Sequence, residues 1–202
     1  MANEVSTSVK FHQINDAAKD RLKELYSRIR EQDRKWFGDI WVDGTDGSPS
    51  YSETEQYTWT TMNMGPKWCY FEDYDDTGFY TSSAWSYPAE GIQWLLSQLA
   101  EVDPNIITSV SYQDESPNFA GVWVYEGAEE YDGYEESWDE IRERIMKQNP
   151  ELYEGWDEDD EDWKDEHYQD LFNDNLWSSI DDAQWEFAAE MSQIIKSEQN
   201  SK

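Results

Sequence analysis

The residues best placed to do chemistry are carboxylates set among tryptophans, densest between Glu126 and Asp174, where 21 Asp and Glu stand against four Arg and Lys. Glu154, Trp156, Asp157, Glu158, Asp159 and Asp160 lead into Glu161, Asp162 and Trp163, and Asp165, Glu166 and Asp170 continue the run, with Trp138 upstream. Together these are the candidate binding residues. Three chemistries suit such a set. Paired acids beside Trp platforms describe a glycoside hydrolase, where an acid and a base flank the scissile bond. Among 46 acids, however, no pair stands out from the background. Asp157, Asp159 and Glu161 alternate like calcium ligands, yet no Gly occupies the sixth position and the twelfth is Tyr168, so no built metal site is expected. The third possibility is a dense negative field carrying rigid aromatic surface, which attracts and anchors a basic partner.

Other catalytic sets are poorly represented. His12 and His167 are the two histidines and neither has a visible Ser or Cys partner, while Cys69 lies in an aromatic stretch that reads as core. One cysteine excludes an internal disulfide, and a Cys/His zinc site fails on count. No catalytic residue, cofactor or metal is assigned.

Composition narrows the partner. A net charge of -31 opposes direct contact with nucleic acid phosphates or anionic lipid, both of which need a Lys and Arg surface. An aromatic content of 16% separates the chain from disordered acidic tails. With no signal-like or membrane-length apolar run, a soluble cytoplasmic protein is expected.

The elements that must position the acids follow from periodicity. Val5, Thr7, Val9 and Phe11 alternate with polar residues and predict a strand over 5–12; Asn15 caps a helix carrying Ala18, Leu22, Leu25 and Ile29, expected to run to Trp36. Residues 38–56, with Gly38, Gly44, Gly47 and Pro49, read as an irregular insertion. The Thr-, Trp- and Tyr-rich stretch from Tyr57 to Tyr74 predicts strand on both sides of Gly65-Pro66, with a hairpin at Asp75, Asp76 and Gly78 into a strand ending in a buried Trp85. Ile92, Leu95, Leu96 and Leu99 draw the stripe of a helix over 88–102. Strands over 105–113 and 118–125 follow, the second apolar on both faces. Beyond Tyr125 the pattern reads as helical, with a Ser137/Glu140 capping box and a last helix placing Ile180, Phe187, Met191, Ile194 and Ile195 on one side. Those apolar positions offer docking on the sheet or on a second chain, a homodimer being one such arrangement.

This order, strand-helix-strand-strand-helix-strand with an added strand, is the ferredoxin-like one. The wording of Gly65-Pro66-Lys67-Trp68, Thr81 to Pro88, Ser111 to Glu115 and Phe119-Ala120-Gly121 resembles the YubB ferredoxin-like domain family of plasmid- and phage-encoded proteins, over about residues 60–126. Tyr87 departs from the family's usual pair of prolines. The resemblance implies a fold and a mobile-element origin, and it supplies no catalytic residues. The expectation is an α+β ferredoxin-like domain over 1–126 and an acidic helical extension over 127–202. Its function would be to mimic nucleic acid and block a basic DNA- or RNA-binding host protein, such as a defence nuclease, CRISPR effector, restriction enzyme or RNA polymerase. A carbohydrate-active enzyme and an acidic halophile-type structural protein are the alternatives.

Overall fold

The computed structural model describes residues 3–30, 32–42, 51–116, 118–152 and 166–201. Its frame is one antiparallel sheet in a mixed α+β fold. In chain order the strands are β1 (Glu4–Gln13), β2 (Lys35–Trp36), β3 (Cys69–Tyr74), β4 (Gly78–Ala84), β5 (Ile107–Asp114), β6 (Phe119–Glu126) and β7 (Glu129–Ser137). They lie side by side as β2-β3-β4-β1-β5-β6-β7, so β1 is central and pairs with β4 on one side and β5 on the other.

Period-two alternation sends Val5, Val9 and Phe11 to one face of the sheet, where α1 (Asp16–Tyr26) and α3 (Ala89–Ala100) cover them. Leu22, Leu25, Ile92, Leu95, Leu96 and Leu99 are buried there, joined by Phe37, Phe71 and Phe79. The second face divides in two. Over β6 and the start of β5 it is apolar, with Ile107, Val122 and Val124, and the 34-residue α5 (Glu166–Gln199) lies on it through Ala188 and Ile195. Beside it, α4 (Trp138–Gln148) buries Ile141 and Ile145 against Ala120, Phe172, Leu176 and Ile180. Over β1 and β4 the same face is polar, with Ser6, Ser8, Lys10 and Tyr80, and the α5 groove opens there.

Three expected elements come out differently. The first helix ends at Tyr26, ten residues before Trp36, because Asp39, 1% exposed, draws the chain back: its carboxylate accepts from the Arg30 amide at 3.1 Å and pairs with the guanidinium at 2.5 Å. The stretch expected as strand from Tyr57 is α2 (Glu53–Met64) up to its end at Gly65, whose φ of 94° suits a residue without Cβ. Ser52 and Glu55 form its capping box; Thr58, Thr60 and Thr61 return their hydroxyls to the carbonyls four residues back, at 2.7–3.0 Å. Gln56, Thr60 and Met64 make the buried stripe, and Trp36 Nε1 donates to Thr60 Oγ1 at 2.9 Å. A Thr-rich composition favours strand, but capping and side-chain back-bonding prevail. α2 also occupies the end of the insertion expected to be irregular; residues 43–50 lie outside the described part.

The third difference is β7. Beyond Tyr125 the sequence pattern reads as helical, yet Gly127, at φ 63°, turns the chain back, its amide donates to Ile106 O at 2.8 Å, and Glu129–Ser137 pairs with β6. The expected boundary at 126/127 therefore falls inside a hairpin of the sheet. As an edge strand, β7 displays Glu129, Glu130, Asp132 and Glu135, a like-charge edge that discourages pairing with another sheet. Trp85 is also not buried. It is 57% exposed at φ 72°, beneath the Lys67 ammonium. Among the described residues no helix is long and apolar enough to cross a membrane.

Leu96 is fully buried between α3 and the sheet. Leu96→Ala is expected to cost about 2–5 kcal/mol as a core truncation. Urea melts of the variant and the parent give the value directly, and an unchanged midpoint would remove α3 from the folding unit.

Candidate functional site

Most of the candidate binding residues, Glu154 to Asp165 with Trp156 and Trp163, lie outside the described residues. Glu166 and Asp170 fall in the first turns of α5. Trp138 opens α4, where its ring meets Phe172 edge-on, centroids 5.3 Å apart, and is half-buried. It is a joint between α4 and α5 rather than a free anchor. The acidic surface that can be followed atom by atom is built on α5, α4 and β7.

α5 is held to the sheet by polar contacts as well as apolar ones. Gln184 is buried and its Nε2 donates to Tyr112 O and Gly121 O, both at 3.0 Å, so one amide fixes the helix across the β5–β6 pair. Near the helix end the Lys196 ammonium donates to His12 O at 3.2 Å, and Gln199 Nε2 reaches Glu126 at 3.0 Å. Arg144 ties in α4: it forms a two-pronged pair with Glu136 at 2.8 Å and donates to Ser179 O at 2.8 Å. Helical period then decides what faces outward.

With Ile180, Gln184, Ala188 and Ile195 turned to the sheet, α5 exposes Asp182, Glu186 and Glu190 in one row and Trp177, Asp181 and Trp185 in the next. Carboxylates four residues apart sit about 6 Å apart along a helix, close to two phosphate steps of about 3.4 Å each along one DNA strand. Trp185 is 65% exposed, so a large rigid apolar face stands beside that row. Glu129, Glu130, Asp132 and Glu135 on β7 and Asp139, Glu140 and Glu143 on α4 extend the field. These outward residues of α5 and β7 were not singled out in the sequence. Their signal was available, as Trp177, Asp181 and Trp185 share four-residue spacing.

The field is one-sided in sequence as well. Eight of the 15 Lys and Arg lie in the first 35 residues, against six of the 46 acids. Many of these cations are neutralised locally, as in Lys19–Asp76, Arg21–Glu24 and Arg28–Glu24. Buried acids, by contrast, are structural. Asp114 accepts from Asn118 Nδ2 at 2.6 Å and Ser116 N at 2.7 Å, closing the β5–β6 turn, and Asp103 accepts the Asn15 amide at 2.7 Å. Glu140 is held below the usual carboxylate range by the Ser137 amide and hydroxyl of its capping box.

Cys69 is buried in the core, with burial pushing its thiol up. His12 sits on the second face, its Nε2 2.8 Å from Ser109 Oγ, so it has a serine partner that the sequence spacing did not show. Among the described residues no group of three or more His, Cys, Asp or Glu is arranged to hold a metal. Compared with known proteins, the chain matches no family model and no curated protein.

His12 generates a test of this wall. Burial, then the Lys10 and Lys196 charges, lower its pKa from 6.5 to about 4, so the folded chain keeps it neutral where the unfolded chain protonates it. Between pH 6.5 and about 4 the unfolded state binds more protons, so this group's contribution is complete above the window and is lost as pH falls through it. His12→Gln is expected to flatten the acid slope of stability over that window relative to the parent, measured as urea midpoints against pH. Parallel curves for the two chains would mean that His12 is not held neutral.

Proposed function

We propose that the chain is a non-enzymatic, acidic nucleic-acid mimic that occupies the nucleic-acid-binding surface of a basic host protein, built on a ferredoxin-like core. The order β5-β1-β4-β3, with α1 and α3 on one face, supports the core reading. One observation carries the functional reading: the Asp182, Glu186, Glu190 row stands at phosphate-like spacing on a helix whose own anchoring uses other residues, with Trp177 and Trp185 alongside. A surface made for solubility needs the charge but not the exposed tryptophans, since large apolar side chains work against it.

The division of labour follows from physics. Excess negative charge steers a basic partner over about one Debye length, about 8 Å at physiological salt, and raises the rate of association. The tryptophans act after contact, by burying area in the complex and slowing release. A mobile-element inhibitor of a defence nuclease, CRISPR effector, restriction enzyme or RNA polymerase would work in this way.

The test immobilises the chain, exposes it to a bacterial lysate and challenges the captured proteins with duplex DNA. Captured nucleic-acid-binding proteins are expected to leave with added DNA or salt. Neutralising Asp182, Glu186 and Glu190 together (D182N, E186Q, E190Q) should lower the association rate about tenfold or more, while Trp185→Ala should chiefly raise the dissociation rate. Partners that duplex DNA fails to displace, or that bind the neutralised chain equally well, would refute mimicry.

A further inference from the structure

The polar half of the second face holds a feature that the acidic row does not use. Between β1, β5 and α5 runs a groove of about 450 Å³, within the range of about 300–1,000 Å³ typical of ligand pockets. Its floor is hydroxyl-rich: Ser6 and Ser8 come from β1, Ser109 and Ser111 from β5, all on one face by the strand register. Tyr80 of β4 and Trp185 of α5 line it, 58% and 65% exposed. Strands lie about 4.8 Å apart, so β4 and β5, flanking β1, leave a trough about 10 Å wide.

The two ends of the groove carry opposite charge. α5 crosses β5 where Gln184 bonds Tyr112 O, so Asp181, one turn earlier, lies toward Gln113 and its strand partner Ser6, while Lys196 stands near His12. At the second end Lys10 lines the groove itself, with Lys196 behind His12. Lys10 is exposed, and among the described residues it has no carboxylate ion-pair partner, although the hollow on its other side contains Asp73 and Asp75. The Asp75 carboxylate is already engaged by the Thr77 amide and hydroxyl and the Gly78 amide. Uncompensated charge is visible at both ends. Partial burial and then Asp182 raise the pKa of Asp181, and after burial it is Lys10 and Lys196 that disfavour the protonated form of His12. Gln113, at the acidic end, has a buried Oε1 with no donor, and a rotation of its amide would present a hydrogen-bonding group to the groove.

We propose that this groove binds a short zwitterionic peptide of about three residues. Its ammonium lies at Asp181, its carboxylate at Lys10, its backbone over the serine floor, and an aromatic or apolar side chain lies between Tyr80 and Trp185. The dimensions agree: Ser109 to Gln113 spans about 13 Å of strand, and three extended residues span about 10 Å. A zwitterion also avoids the repulsion that a chain of net charge -31 exerts on a phosphate ligand. A nucleotide would meet one cation and leave Asp181 without a counterion. This inference shares Trp185 with the mimicry reading but needs neither Glu186 nor Glu190, and its tests at Lys10 and Asp181 stand or fall apart from those of that reading.

The experiment is calorimetric titration of the full chain with the tripeptide Ala-Phe-Ala and its blocked forms. The free peptide is expected to bind, with N-acetylation and C-amidation each weakening binding about tenfold or more, as befits loss of a charge-assisted hydrogen bond. In Lys10→Gln, C-amidation should have no further effect while N-acetylation still does; in Asp181→Asn the pattern should reverse. Both side chains are exposed, and unchanged melting curves will show that the variants fold. Absence of binding to the parent chain, or equal affinity for the doubly blocked peptide, would overturn the proposal. So would binding of adenosine monophosphate that Lys10→Gln abolishes and Asp181→Asn leaves intact, with no binding of the peptide.

Discussion

Self-repulsion is the constraint under which every element of this chain folds. A net charge of -31 on 202 residues favours expanded states, and a compact one survives only if apolar burial outweighs that repulsion. The protein meets this by covering one face of the sheet and, over β5, β6 and β7, the other as well. One face carries α1 and α3 over a core of leucines and phenylalanines; the other carries α4 and α5 over β5, β6 and β7. Acids are placed outside, and the few that are buried have partners: Asp39 takes the Arg30 guanidinium, and Asp114 and Asp103 accept amide donors.

The second face shows how one sheet can serve two purposes. Where it is apolar, α5 is seated on it, with Gln184 bridging two strand carbonyls that the helix would otherwise cover without regard to register. Where it is polar, with serines on β1 and β5, no helix lies over it and a groove remains. The same helix therefore has three roles by position around its axis: Ala188 and Ile195 inward, Trp185 and Asp181 toward the groove, Asp182, Glu186 and Glu190 outward. A helix of 3.6 residues per turn can do this only when its sequence is ordered on that period.

Local sequence determined much of the frame. Alternation in β1, the Asn15 cap, the turn at Asp75–Gly78, the stripe of α3 and the Ser137/Glu140 box are short-range signals, and each element forms where its signal lies. The charge and the single cysteine were likewise visible in composition, whereas the pairing of His12 with Ser109 was not. Tertiary structure decided the rest, where two local tendencies compete. Thr-rich α2 is a helix because its hydroxyls bond back along it and its Gln56, Thr60, Met64 stripe is buried, partly against α3. β7 is a strand because β6 offers a free edge, and α1 stops at Tyr26 because Asp39 recruits Arg30. Which acids face outward beside exposed tryptophans, and that Lys10 shares a groove with Asp181, depend on where α5 docks, through bonds such as those of Gln184 to Tyr112 and Gly121, 60 or more residues away in sequence. No window of sequence contains that, because it is a property of contacts between distant segments.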